Sequence, residues 1–174
     1  FATNLMKKIM TAVSYLHSLE TPIIHSDITP LNIMLDMSTG ILEPILFDFG
    51  LSKHKGNSTS YNSTVPSIFY CAPELFNKEY SVKSDIFSLG ALYYSLIEGY
   101  FPWHNKFNIN DINSVDFQDK IISNRNSKLT FTAINAIDET IKLSIIKSLL
   151  PEPETRFESV DDFYKYITKE KLIS

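Results

Sequence analysis

The sequence predicts an α+β fold that is mainly helical, and three observations predict it. Leu5, Ile9, Val13 and Leu16 recur at helical spacing near the start. Three short apolar runs separated by polar turns follow between residues 22 and 47, and from Ser84 to Ile97 the chain is apolar almost all round. The first pattern gives an amphipathic helix over 4–18, with Thr3 placed to cap it. The runs Pro22-Ile23-Ile24, Asn32-Ile33-Met34-Leu35 and Pro44-Ile45-Leu46-Phe47 each have strand length, and Thr39-Gly40 supplies a turn between the last two. Residues 52–64 are rich in Ser, Thr, Asn, Lys and Gly without a hydrophobic period, so they are expected to form a long loop. The apolar stretch 84–97 reads as a buried helix. Further helices are expected over 111–123, 133–149 and 160–171, the last opening on the capping-box-like Ser159-Val160-Asp161-Asp162. No internal repeat is visible, and the Asn/Ser-rich patches near 57–63 and 123–127 are loop-like.

At 174 residues and 44% hydrophobic content, the chain can bury one core but hardly two, so a single domain over 1–174 is expected. A formal charge of −4, with no dense Lys/Arg cluster, argues against a nucleic-acid footprint, which needs a basic face. The single cysteine, Cys71, excludes an internal disulfide framework and fits a reducing compartment, cytoplasmic or nuclear. No apolar run reaches the roughly 20 residues of a membrane span. The opening Phe1-Ala2-Thr3-Asn4 is not a signal peptide, and the lack of an initial Met suggests a piece cut from a longer polypeptide.

Chemistry concentrates where the predicted strands end. Asp27, Asn32 and Asp48 put two carboxylates and an amide there, an oxygen-rich set suited to Mg²⁺. Taken singly, each reads equally well as a solvated turn residue. Order and spacing add more. His25-Ser26-Asp27-Ile28-Thr29-Pro30-Leu31-Asn32 resembles the protein-kinase catalytic loop, Asp48-Phe49-Gly50 the metal-binding motif of that family, and Ala72-Pro73-Glu74 the end of its activation segment. Asp85-Ile86-Phe87-Ser88-Leu89-Gly90 is similar to the start of the family's buried central helix, and Arg156 falls where the family places the partner of Glu74. Tyr15-Leu16-His17 before Ile23-Ile24-His25 extends the likeness to essentially the whole chain.

The chain thus resembles the C-terminal lobe of a eukaryotic-type protein kinase, and the resemblance implies roles. Asp27 would orient the substrate hydroxyl and accept its proton, while Asn32 and Asp48 would hold Mg²⁺ against the phosphates of ATP. Met34 would lie under the adenine ring or, alternatively, pack in the core. His25 would pack against Phe49 beside Gly50, Asp85 would hold the catalytic-loop backbone and cap its helix, and Glu74 with Arg156 would form a buried ion pair. Ser67, five residues before Ala72, sits where serine/threonine kinases place a hydroxyl near the catalytic Asp; its alternative is a solvated loop serine. A protein substrate is the implied partner.

Three departures complicate this. Ser26 replaces the Arg that usually pairs with a phosphate on the activation loop, so switching through Ser58, Thr59, Ser60, Tyr61, Ser63 or Thr64 lacks its usual acceptor. Thr29 replaces the Lys of serine/threonine kinases, and no Lys or Arg occurs from Ile9 to Ser52. The sequence also holds no Gly-rich phosphate loop and no Val-Ala-Ile-Lys strand, so the N-terminal lobe is expected to be missing, the lobe alone to be inactive, and its apolar face to be exposed. Two functions follow: a serine/threonine protein kinase seen through its C-lobe, or a pseudokinase-like binding module. A tyrosine kinase fits less well, because Ser67 is present and no Arg follows Asp27, although Gly50-Leu51-Ser52 leaves a tyrosine-kinase-like serine/threonine enzyme open.

Overall fold

Helix α2, Val82–Glu98, organises the molecule because nearly every side it presents is apolar: Ile86, Phe87, Leu89, Ala91, Leu92 and Tyr93 are all buried. The computed structural model describes residues 1–50, 52–54, 67–108, 114, 116–132 and 137–169. Ser81 caps α2 by accepting from the Lys83 amide, and Ser84 returns a bond to the Ser81 amide. Gly99 ends the helix at φ 84°, a left-handed conformation that suits a residue without Cβ.

Against α2 pack α1, Ala2–Ser18, and α4, Glu139–Ser148, while α5, Val160–Thr168, joins α1 to α4. A Cβ on Gly90 would lie 1.9 Å from Ser148 Oγ, so the closeness of α2 to α4 requires glycine at that position. The shorter α3, Phe117–Asn124, buries Phe117 and Ile121 beside this bundle. Four short strands lie at the other end. Strand β1, Ile23–Ile24, pairs antiparallel with β4, Lys53–His54, and β2, Ile33–Asp36, pairs antiparallel with β3, Glu43–Leu46, Met34 opposite Ile45. The architecture is α+β and mainly helical. Among the described residues no helix is long and apolar enough to cross a membrane.

Several boundaries differ from the sequence reading. Helix α1 starts at Ala2, and Thr3 does not cap it; the Thr3 hydroxyl instead accepts from Tyr93 Oη of α2 at 2.8 Å. Lys53 and His54 fall in the expected loop yet form β4, because a ladder joins backbone groups and needs no hydrophobic period. The helices expected over 111–123 and 133–149 begin later within the described residues, at Phe117 and Glu139. Ser159 does cap α5, accepting from the Asp162 amide. The six candidate phosphorylation sites between Ser58 and Thr64, with Leu51 and Asp111, lie outside the described residues.

Candidate active site

The segment between β1 and β2 folds around a buried carboxylate from below. Asp85, in the first turn of α2 and fully buried, accepts from the His25 amide through Oδ2 and the Ser26 amide through Oδ1, both at 2.8 Å. His17 Nε2 lies 2.8 Å from the same Oδ2, a contact that runs from the end of α1. Three polar groups therefore satisfy a charge that would be costly alone. They also fix the backbone in an unusual shape: Ser26 has φ 68°, the left-handed region that a residue with Cβ seldom enters.

Asp27 and Asn32 meet above this anchor. Asn32 Nδ2 donates to the Asp27 carbonyl at 2.8 Å and to Asp27 Oδ2 at 2.7 Å, which uses both amide hydrogens and leaves the Oδ1 oxygen of Asn32 available as a ligand. Asp27 Oδ1 is buried and has no hydrogen-bond partner. One carboxylate oxygen is thus fixed while the other retains its full accepting capacity. The turn Pro30–Asn32 closes with the Asn32 amide donating to the Thr29 carbonyl, and the Phe47 amide donates to the Asn32 carbonyl at 3.1 Å. That last bond carries the end of β3, and with it Asp48, to the side of Asn32.

Asp48 is exposed and left-handed, at φ 59°. Its Oδ1 accepts from the Gly50 amide at 3.1 Å, and a Cβ on residue 50 would stand 3.0 Å from that oxygen, so glycine permits the approach. Asn32 Oδ1, on a largely buried side chain, and the exposed Asp48 carboxylate are hard oxygen donors, a set that fits Mg²⁺, which keeps several waters and takes one or two protein ligands beside phosphates. Among the described residues no group of three or more His, Cys, Asp or Glu side chains could form a dedicated metal cage. Cavities of about 450 and 470 Å³ lie elsewhere, between Lys147 and Tyr166 and beside Trp103, while the carboxylates occupy an open face.

His25 is fully buried; its ring lies 4.9 Å from that of Phe49, and Nδ1 accepts from the Asp27 amide at 3.3 Å. Its Nε2 has no hydrogen-bond partner. Met34 is 53% exposed, which removes the core-packing alternative. Leu31, Leu35, Ile41, Ile45 and Phe47, all on or beside β2 and β3, are exposed as well, apolar surface near the site. Ser67 is buried rather than a solvated loop serine, and its carbonyl accepts from the Tyr70 and Cys71 amides. No hydrogen bond among the described residues joins Ser67 to Asp27.

Below, Arg156 meets Glu74 as a two-point pair, Nη1 to Oε1 at 2.7 Å and Nη2 to Oε2 at 2.9 Å, both side chains buried. The remaining Arg156 hydrogens go to the carbonyls of Lys83, Leu150 and Pro151, and Ser84 Oγ donates to Glu74 Oε1. Two residues of this framework had little voice in the sequence. His17 was visible only as part of Tyr15-Leu16-His17, and the buried Arg125 sits in a polar stretch, Asn124-Arg125-Asn126-Ser127, that reads as surface loop.

The chain is 44% identical over 109 residues, 60% of its length, to the Dictyostelium discoideum "Probable serine/threonine-protein kinase samkB", of which the match covers 18%. It is 38% identical over 104 residues, 59% of its length, to Myosin light chain kinase A of the same organism, covering 35% of that protein. A third relative, 43% identical over 97 residues, is "Probable inactive serine/threonine-protein kinase samkD", with 53% of this chain and 17% of that protein covered. The chain therefore spans a minor part of these relatives. Among solved structures, the Cydia pomonella granulovirus kinase PK-1 superposes with a TM-score of 0.75 at 19% identity, over 95% of this chain and 60% of that one, a likeness of fold. The protein kinase domain family matches residues 1–165, and the chain belongs to that family.

Proposed function

We propose that this chain supplies the substrate-orienting and metal-holding half of a serine/threonine protein kinase, which moves the γ-phosphoryl group of ATP to a Ser or Thr hydroxyl of a protein. One observation carries the reading: Asp27 Oδ2 is fixed by Asn32 while Oδ1 has no partner among the described residues, which leaves an acceptor unused by the chain itself for a hydroxyl. In this reading Oδ1 takes the hydroxyl hydrogen bond and then the proton as the oxygen bonds to phosphorus and the bond to the leaving diphosphate breaks. Asn32 Oδ1 and Asp48 would hold Mg²⁺, which neutralises phosphate charge when bound. Met34, exposed on β2, would lie against the adenine ring. The positive charge and Gly-rich cradle absent from this sequence would come from an N-terminal lobe seated on the exposed apolar face. Ser67 supports Ser/Thr over Tyr, and the single reduced cysteine, Cys71, supports a cytoplasmic or nuclear setting.

The test is transfer of labelled phosphate from ATP by the full chain to peptides differing only in Ser, Thr or Tyr. Transfer to Ser and Thr, lost by a factor of about 10² or more in Asp27→Asn, is the expected result. Transfer confined to Tyr, or activity unmoved in Asp27→Asn, would overturn it.

A binding module is the second reading, favoured by Thr29 and Ser26, which put no cation beside the reacting group, and by the relative named as inactive. Thr29 is buried, so any Lys introduced there must emerge from under its neighbours. In the kinase reading Thr29→Lys speeds turnover in the full chain; a module gains nothing.

A further inference from the structure

Arg125 follows the last turn of α3, where its amide donates to the Ile122 carbonyl, and its side chain turns inward until it is 3% exposed. There Nη2 donates to the Ile68 carbonyl at 2.7 Å and lies 3.6 Å from Cys71 Sγ. The guanidinium sits 5.4 Å from the Phe76 ring centre and 5.2 Å from that of Phe87. No carboxylate among the described residues pairs with it, and Nη1 has no hydrogen-bond partner. A buried cation met, among the described residues, by one carbonyl, one thiol sulfur and two ring faces is a poor stabiliser, since desolvation opposes it and no opposite charge there offsets the loss. What it does fix is place. Ile68 and Cys71 belong to the segment that carries Ser67 and leads into Ala72-Pro73-Glu74.

The other end of α3 holds the same segment. The Phe69 ring lies edge-on to Phe117, the first residue of α3, with centres 6.1 Å apart, and stacks on Phe101 at 4.0 Å. The segment 67–71 is thus gripped from α3 at both ends, by an aromatic contact at Phe117 and a hydrogen bond at Arg125.

We propose that Arg125 is a positioning residue for the protein substrate: by tying the Ile68 carbonyl to the end of α3 it holds the 67–71 backbone and with it Ser67, which the kinase reading sets near Asp27 and the substrate hydroxyl. The inference rests on the kinase reading above. Arg125 touches no reacting atom, so its loss acts on substrate binding rather than on the chemical step.

The discriminating variant is Arg125→Met in the full chain, which keeps an apolar stem between Phe76 and Phe87 and removes the donor. The peptide KM is expected to rise roughly tenfold, with kcat and the KM for ATP within about twofold and the melting temperature unchanged or higher. Arg125→Lys keeps the charge and one donor, so it is expected to fall between, at roughly threefold. It also decides the matter if Arg125→Met does not fold. An unchanged peptide KM in the variant that folds, or a fall of kcat and melting temperature with both KM terms raised together, would mean a structural role only and overturn the proposal. Absence of transfer by the wild-type polypeptide carrying both lobes would instead bring down the kinase reading itself, and this inference with it.

Discussion

The helical base and the strand face of this molecule meet opposite demands. In the Glu74–Arg156 pair below α2 the ionic hydrogen-bonding groups are matched: Arg156 alone donates to a carboxylate twice and to three carbonyls. Around Asp27, Asn32 and Asp48, acceptors are left over, apolar side chains face outward and the backbone is twisted into left-handed turns. The difference teaches where stability and reactivity are separately kept, with Asp85 as the link: its charge is part of the base, and its bonds shape the face.

That contrast can be broken at its strongest point first. Arg156→Met strands the Glu74 carboxylate in the interior and is expected to destabilise the chain by about 3–5 kcal/mol in urea unfolding. Asp85→Asn retains the shape but turns one of the two acceptors into an NH2 donor facing a backbone amide, at a cost of about 1.5–3 kcal/mol. Hydrogen exchange should then speed selectively at the His25 and Ser26 amides; equal protection there would disconnect base from face. Gly90→Ala forces α2 away from Ser148 and should cost about 1–3 kcal/mol, eased by Ser148→Gly in the same chain. On the strand face the same size of change should barely register: Met37→Ser, at a side chain 65% exposed, is expected to stay within about 0.5 kcal/mol.

The smallest effect is one of pH. Asp138, exposed at the start of α4, has its carboxyl lowered from 3.8 to about 2 by its bond from Lys169, with Thr140 adding to it. Because the folded value is the lower one, its contribution is present above pH 3.8 and fades as pH falls towards 2. Asp138→Asn should abolish that slight dependence in acid titrations of stability.

Much of this was legible beforehand, for definite reasons. Helix α1 announces itself because burial repeats with the helical period, α2 because it is apolar almost all round, and Ser159 because its cap lies within three residues. Ala72-Pro73-Glu74 and Arg156 could be matched because the residues that carry the resemblance are ordered along the chain. What stayed hidden depends on distance in sequence. Thr3 looked like a cap because Tyr93, its actual partner, lies 90 residues away; β4 has only backbone bonds to show for itself; and Arg125 looks like surface until Phe76 and Phe87 enclose it. The exposure of apolar side chains was readable in outline, yet that Met34 is among them follows from its place in the two-stranded β2–β3 pair, opposite Ile45, which no motif specifies.

The left-handed turn at Ser26 has a further meaning. A serine there sits in a minority backbone state, of order 1 kcal/mol or more above an ordinary one, and remains because Asp85 grips the amides on either side of the turn's entry. If that grip opens, the backbone at Ser26 has a lower-energy conformation to relax into, so damage far below, at the root of α2, is expected to be felt above, in the segment that carries Asp27.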